Sequence, residues 1–240
     1  MGKYFRIYKF HKSWGHKEAI RRVAAIFKEI DLFDIRYRIN TRTIREEPYE
    51  NPNYMPYWPV FTSVAREMIR QSYNFFLSGI RYSDYERKCV FIDLGSGAGK
   101  TPIMAAKTKK FELSVGIELD PQLHARFQNN VNALELKSLI LCAFGNVESP
   151  DTINEFALEL QNRGFTKSNT TLFLFNKNSY SESVLENSLK LLGNHFTSMI
   201  YLYQNPVHHE TLLSNGFKEF GRDSQSNNSH KNYKYVLYYK

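Results

Sequence analysis

Asp93, Gly95, Ser96, Gly97 and Gly99 place one carboxylate, one hydroxyl and three glycines within seven consecutive positions. Glycines at spacing two let a backbone turn tightly through positive φ and pass close to a ligand. A helix-forming stretch follows them, and the free N–H groups of its first turn point toward whatever the loop holds. The chemistry this suits is the binding of a nucleotide-type cofactor. The loop needs an apolar strand in front of it, and Val90-Phe91-Ile92 supplies one that ends in the acid.

Three kinds of cofactor loop join a strand to a helix, and spacing separates them. Dinucleotide binding asks for Gly-x-Gly-x-x-Gly, which from Gly95 puts Lys100 where the third glycine belongs. A phosphate-cradling loop asks for Gly-x-x-x-x-Gly-Lys-Ser/Thr. Gly99-Lys100-Thr101 matches its end, but Leu94 stands at the required first glycine. The third pattern, Asp-x-Gly-x-Gly-x-Gly at Asp93 to Gly99, resembles the first motif of class I S-adenosylmethionine-dependent methyltransferases. The resemblance implies S-adenosyl-L-methionine as cofactor, with Asp93, Gly95, Ser96, Gly97 and Gly99 around it.

That resemblance extends in order along residues 87–240. Val115-Gly116-Ile117-Glu118 is a second apolar strand ending in an acid, where the family keeps a ribose-binding carboxylate; Glu118 takes that role by resemblance. Asp120-Pro121 then reads as an N-cap and first residue of a helix. A third strand over 138–144 leads to Asn146 and Val147, which by the same resemblance contact the adenine amino group and ring. The fourth strand, 171–175, ends at Asn176-Lys177-Asn178, beside the transferable methyl in the family plan, and Asn176 is the candidate there. Lys177 departs from the Asn/Asp-Pro-Pro-aromatic pattern of enzymes that methylate nucleobase amines. A fifth strand (198–204), a short helix (207–214), a sixth strand opening at Gly216 and a closing strand within 232–240 complete the plan. The resemblance therefore implies an α/β fold, a Rossmann-like seven-stranded methyltransferase sheet with an N-terminal helical cap.

The cap is expected over residues 1–86 and the cofactor-binding core over 87–240. Ile20, Val23, Ala24, Phe27 and Ile30 fall on one helical face. Pro48, Pro52, Pro56 and Pro59 punctuate a loop, and a second helix runs from about 60 to 78 into the first strand. Arg36 to Thr41 and Tyr57-Trp58-Pro59 resemble stretches of an uncharacterised branch of the same superfamily, in which this segment folds over the cofactor. Tyr57 is accordingly a second candidate for a role near the reacting atoms.

Composition narrows the setting. At 240 residues, 42% of them hydrophobic and 15% aromatic, the chain suits one α/β core with an appendage. The net charge is +8, and residues 1–92 hold 17 Lys/Arg against 10 Asp/Glu, while the remainder holds 15 against 14. Lys3 to Lys17 interleave with aromatics, a mix that an anionic acceptor or partner would use, although the weightier reading is a small helical cap whose aromatics pack and whose cations are solvated. No apolar run reaches the length of a membrane span and no signal-like segment opens the sequence, so a cytosolic protein is expected. Cys89 and Cys142 lack metal-ligand spacing and read as reduced thiols. His208-His209 have no third ligand at a useful spacing, and no metal is expected. The acceptor stays open among protein, RNA and small molecule. A nucleotide-hydrolysing phosphate loop and a non-catalytic binding module are the competing readings.

Overall fold

The computed structural model describes Ile20, Ala24 and residues 27–42, 59–79, 87–177, 180–223 and 235–240. Tyr57, Trp58 and the Lys3 to Lys17 cluster lie outside them. In chain order, a π-helical turn (Phe27–Asp31) runs into α1 (Leu32–Tyr37), and α2 (Thr62–Gly79) follows. The core then alternates β1 (Lys88–Leu94), α3 (Lys100–Thr108), β2 (Leu113–Glu118), α4 (Pro121–Ala133), β3 (Ile140–Phe144), α5 (Pro150–Asn162), β4 (Thr170–Asn176), α6 (Glu182–His195), β5 (Ser198–Gln204), α7 (His209–Ser214), β6 (Lys218–Arg222) and β7 (Tyr235–Tyr239). The strands and the second N-terminal helix follow the sequence expectation, with strand 3 and the last helix each starting two residues later than the pattern alone implied; the pattern does not foresee the π-helical turn or α1, and Ile20 and Phe27 of the expected apolar face are exposed.

All seven strands join one sheet in the order β3-β2-β1-β4-β5-β7-β6. Strands β1 to β5 pair in parallel, and β7 inserts antiparallel between β5 and β6. The order reverses between β1 and β4, so their carboxyl ends open a crevice at the topological switch point where α/β sheets bind ligands. Asp93 pairs in register with Phe175 on β4 and Gly116 on β2, which sets the acid at the head of that crevice.

Side-chain alternation divides the core between two faces. Val90, Ile92, Val115, Leu172 and Leu174 pack with Ile153 and Phe156 of α5 and Val184 and Leu185 of α6. On the other face Phe91, Phe173, Phe175 and Leu202 pack with Ala65, Met68 and Ile69 of α2, Ile103 of α3 and Phe127 of α4. Helix α2 buries Ala65, Met68, Ile69 and Ser72 at the i, i+3, i+4, i+7 spacing that one helical face requires. Its far end is held by Phe75, whose ring stacks on Phe220 of β6 at 3.7 Å. Pro121 opens α4 as expected, with Asp120 Oδ1 accepting from the N–H of Gln122 (2.8 Å) and Leu123 (3.1 Å). Cys89 is buried and Cys142 half-buried, both free; burial pushes each thiol up to about 12, so neither is a thiolate at neutral pH.

Candidate active site

The glycine loop leaves β1 by bonding back to β2: the N–H groups of Gly95 and Ser96 both donate to the Ile117 carbonyl at 3.0 Å. Gly97 adopts φ 56° and its N–H donates to Glu118 Oε2 at 2.6 Å. The other Glu118 oxygen accepts from the Asp120 N–H at 2.8 Å. One carboxylate thus fixes both the turn of the loop and the start of α4. Gly99 caps α3 at φ 83°, where a Cβ would fall 1.9 Å from the Phe127 ring. Only glycine fits there, because α4 presses its buried phenyl directly against the loop.

Two carboxyls converge behind the loop. Asp93 is buried and accepts a hydrogen bond from the Thr101 hydroxyl. Burial drives its pKa well above the usual carboxylate range, and the nearby Glu118 adds to this. Burial likewise raises Glu118, against the opposing pull of the Asp120 and Gly97 N–H groups. Desolvated acids of this kind regain their charge when a cation arrives. Ser96 Oγ is buried without a hydrogen-bond partner among the described residues. An acid pair that favours a cation, an orphaned hydroxyl and a glycine turn make a donor and acceptor set into which a cationic, ribose-bearing sulfonium cofactor fits.

The remaining predicted positions sit around the same edge. The Gly145 N–H donates to the Glu118 carbonyl at 3.0 Å, placing Asn146 and Val147 beside β2. Asn146 Oδ1 accepts from the Glu148 N–H in a local turn, and Val147 is buried in the core. Asn176 is fully buried at the end of β4, and its Nδ2 donates to the Tyr201 hydroxyl at 3.1 Å. Lys177 reaches toward the Pro59 carbonyl at 3.4 Å, and burial lowers its ammonium to about 8. Gln204, buried at the end of β5, has neither amide atom hydrogen-bonded among the described residues.

Several participants carry no local signal in the sequence. Tyr180 is buried with its hydroxyl 3.0 Å from where a Gly95 Cβ would stand, so it closes over the loop from beyond β4. Asn130 of α4 donates to the Ala98 carbonyl at 2.9 Å. Lys100 looked like the lysine of a phosphate loop. Its ammonium instead donates to the carbonyls of Glu29 (2.6 Å) and Val60 (2.7 Å), 5.2 Å from the Phe33 ring. With Thr101 committed to Asp93, the two groups that a phosphate loop needs free are both engaged within the protein.

This sheet order and loop define a class I S-adenosylmethionine-dependent methyltransferase, with S-adenosylmethionine as its cofactor. The family model described as histone methylation protein DOT1 matches residues 68–195, more than half of the chain, from within α2 to the end of α6, and the chain belongs to that family. No curated protein sequence matches the chain significantly. Among solved structures it is similar to a Streptococcus agalactiae protein of the NADB-Rossmann superfamily (14% identity, 72% of this chain and 67% of that one, TM-score 0.46). It is also similar to the B. subtilis tRNA methyltransferase TrmK (14% identity, 72% and 65%, TM-score 0.47). A third similar structure is a precorrin-6y methyltransferase from Geobacter metallireducens (12% identity, 76% and 88%, TM-score 0.48). In the first two, the match spans about two thirds of the other chain. Among the described residues no helix is long and apolar enough to cross a membrane, and no cluster of three metal-ligating side chains occurs.

Proposed function

We propose that S-adenosylmethionine lies across the carboxyl ends of β1, β2 and β3, held by Asp93, the Gly95–Gly99 loop, Glu118, Asn146 and Val147. Its acceptor enters over the ends of β4 and β5. The observation that carries this reading is the pairing of the desolvated Asp93 and Glu118 carboxyls behind a loop whose Gly97 N–H is tied to one of them. When bound, the cofactor supplies an electrophilic methyl group. The protein's share is alignment and exclusion of water, a contribution on the order of 7–11 kcal/mol in well-positioned reactions. We assign residues 1–86 to the cap and 87–240 to the core, with Asn176 at the acceptor end and Tyr57 ahead of α2 in the sequence.

For the acceptor, membership of a family described by histone methylation makes a protein side chain the first candidate to test. The unspent hydrogen-bonding capacity of Gln204 and the cation of Lys177 mark the same end of the sheet as the place where acceptor chemistry is read. Calorimetry tests the cofactor: S-adenosylmethionine or its demethylated product binds, and ATP with magnesium or NAD does not bind comparably. Tight magnesium-dependent ATP binding with none for the sulfonium overturns the reading. Isotope-labelled cofactor incubated with histones and with cell extract, followed by mass spectrometry, identifies the acceptor class. Label confined to RNA or to small molecules overturns the protein-acceptor reading.

A further inference from the structure

The glycine loop is gripped from behind by the cap, on both sides of Gly99. On one side, Asn130 of α4, itself buried, uses its whole carboxamide. Nδ2 donates to the Ala98 carbonyl and to the Asn40 carbonyl, each at 2.9 Å, and Oδ1 accepts from the Asn40 N–H at 3.1 Å. On the other side, Lys100 donates to the Glu29 carbonyl in the π-helical turn and to the Val60 carbonyl ahead of α2. The segment between these ties is internally braced: Asp34 accepts from both the N–H (2.9 Å) and the hydroxyl (2.7 Å) of Thr41. Asp31 pairs with Arg42 at 3.1 Å, and Glu29 accepts from the Ser63 N–H at 2.8 Å. Residues 27–42 are therefore cross-braced, and they are linked to the loop through the Asn130 carboxamide at the Ala98 carbonyl and through the Lys100 ammonium.

We propose that Asn130 is a positioning residue that couples the cofactor to the cap: it makes the ligand-ready shape of the Gly95–Gly99 loop and the docked state of residues 34–42 a single equilibrium. The inference rests on the assignment of the cofactor to that loop. Coupling of this kind is reciprocal, so cofactor must tighten the cap as much as the docked cap tightens cofactor binding. The carboxamide suits this task because it satisfies both hydrogen-bonding atoms of the Asn40 peptide and keeps one N–H for Ala98. An Asp in its place retains the bond from the Asn40 N–H but has no hydrogen to give either carbonyl.

The control is also in the structure. Arg126, one turn earlier on α4, donates to the Arg42 carbonyl at 3.2 Å and approaches Asn40 Oδ1 at 3.5 Å, so it holds the cap and has no bond to the loop. Hydrogen–deuterium exchange and calorimetry on the full chain separate the two. In the parent protein, S-adenosylmethionine slows exchange across residues 34–42. Asn130→Asp and Asn130→Ala raise the cofactor Kd about tenfold, within the usual span of coupling factors, and abolish that slowing. Arg126→Ala speeds exchange in 34–42 and, with the Asn130 link intact, raises the Kd by less than the Asn130 variants while cofactor still slows that exchange. Should one Asn130 variant fail to fold, the other and the parent's own exchange response still decide. Exchange in 34–42 that is indifferent to cofactor, or Asn130 variants that bind like Arg126→Ala, overturns the coupling alone. A parent that binds no S-adenosylmethionine removes the cofactor assignment as well.

Discussion

The two sides of the β1/β4 switch point are built on different scales. On the cofactor side, covering β1, β2 and β3, the key polar contacts are short-range or between adjacent strands: Gly97 to Glu118, Asp120 to Glu118, Thr101 to Asp93. On the acceptor side, β4 and β5 end in one adjacent-strand contact, one long-range contact and one amide with no partner described. Asn176 bonds Tyr201, Lys177 reaches Pro59, and the Gln204 amide is unpartnered among the described residues. A cofactor is the same molecule in every member of such a fold, so one compact loop can hold it. An acceptor varies, and its site is assembled from whatever the topology brings to the sheet's edge.

The largest expected effect tests whether the compact side is placed correctly. Gly97→Arg puts a long side chain on a backbone held at positive φ and beside Glu118, and cofactor binding should fall below detection by calorimetry. Unchanged affinity would mean that the ligand does not use this loop. Next, Glu118→Ala should weaken cofactor binding by roughly 1.5–3 kcal/mol, the scale for hydrogen bonds to a charged group. A collapse of the thermal midpoint with the affinity of the folded fraction intact would instead make Glu118 a structural pin of the loop.

On the dispersed side, Asn176→Ala should cost about 1–3 kcal/mol of stability, because it strips the Tyr201 hydroxyl of a buried donor. Cofactor affinity should hold while turnover falls. Tyr201→Phe supplies the comparison: if it copies the turnover loss, Asn176 acts only through packing, and if turnover survives, the amide serves the acceptor directly.

The last expected effect is a pH dependence. Burial pulls the Lys100 ammonium down to about 7, against about 10.4 for an unfolded chain. Between those values the unfolded state binds more protons than the folded one, so this residue makes stability rise with pH over that window. Lys100→Met lacks that titration, and the parent's thermal midpoint should gain on the variant's from about pH 7 to about pH 10. Parallel curves would show that the ammonium keeps an ordinary pKa beside its two carbonyls.

Legibility in the sequence follows the range of each contact, not the side of the switch point. The strand-acid-glycine pattern exposed Asp93 to Gly99, the next strand-end acid exposed Glu118, and Asp120-Pro121 marked the start of α4, since each signal fits within a few residues. The ties that complete the site were hidden, because Asn130 meets Ala98 across 32 positions and Asn40 across 90. Lys100 misled for a related reason: its neighbours resemble a phosphate loop, and only the folded path of residues 29 and 60 shows where its ammonium goes.

Gly99 has an evolutionary consequence that is separate from catalysis. A side chain there meets the Phe127 ring, so a mutation at 99 becomes tolerable only after the ring is lost. Phe127 is itself fully buried, and removing such a ring costs about 3–5 kcal/mol, a large part of a typical domain's margin. Even with the ring gone, the backbone would stay at φ 83°, where residues with a Cβ are strained. Each order of substitution passes through an unstable intermediate, and the pair is epistatically locked. A descendant of this protein that had given up methyl transfer would therefore keep Gly99 to go on folding. Retention of that glycine in a relative is evidence about the α4 core, and loss of catalysis in a lineage would register first at Glu118 and Asn176.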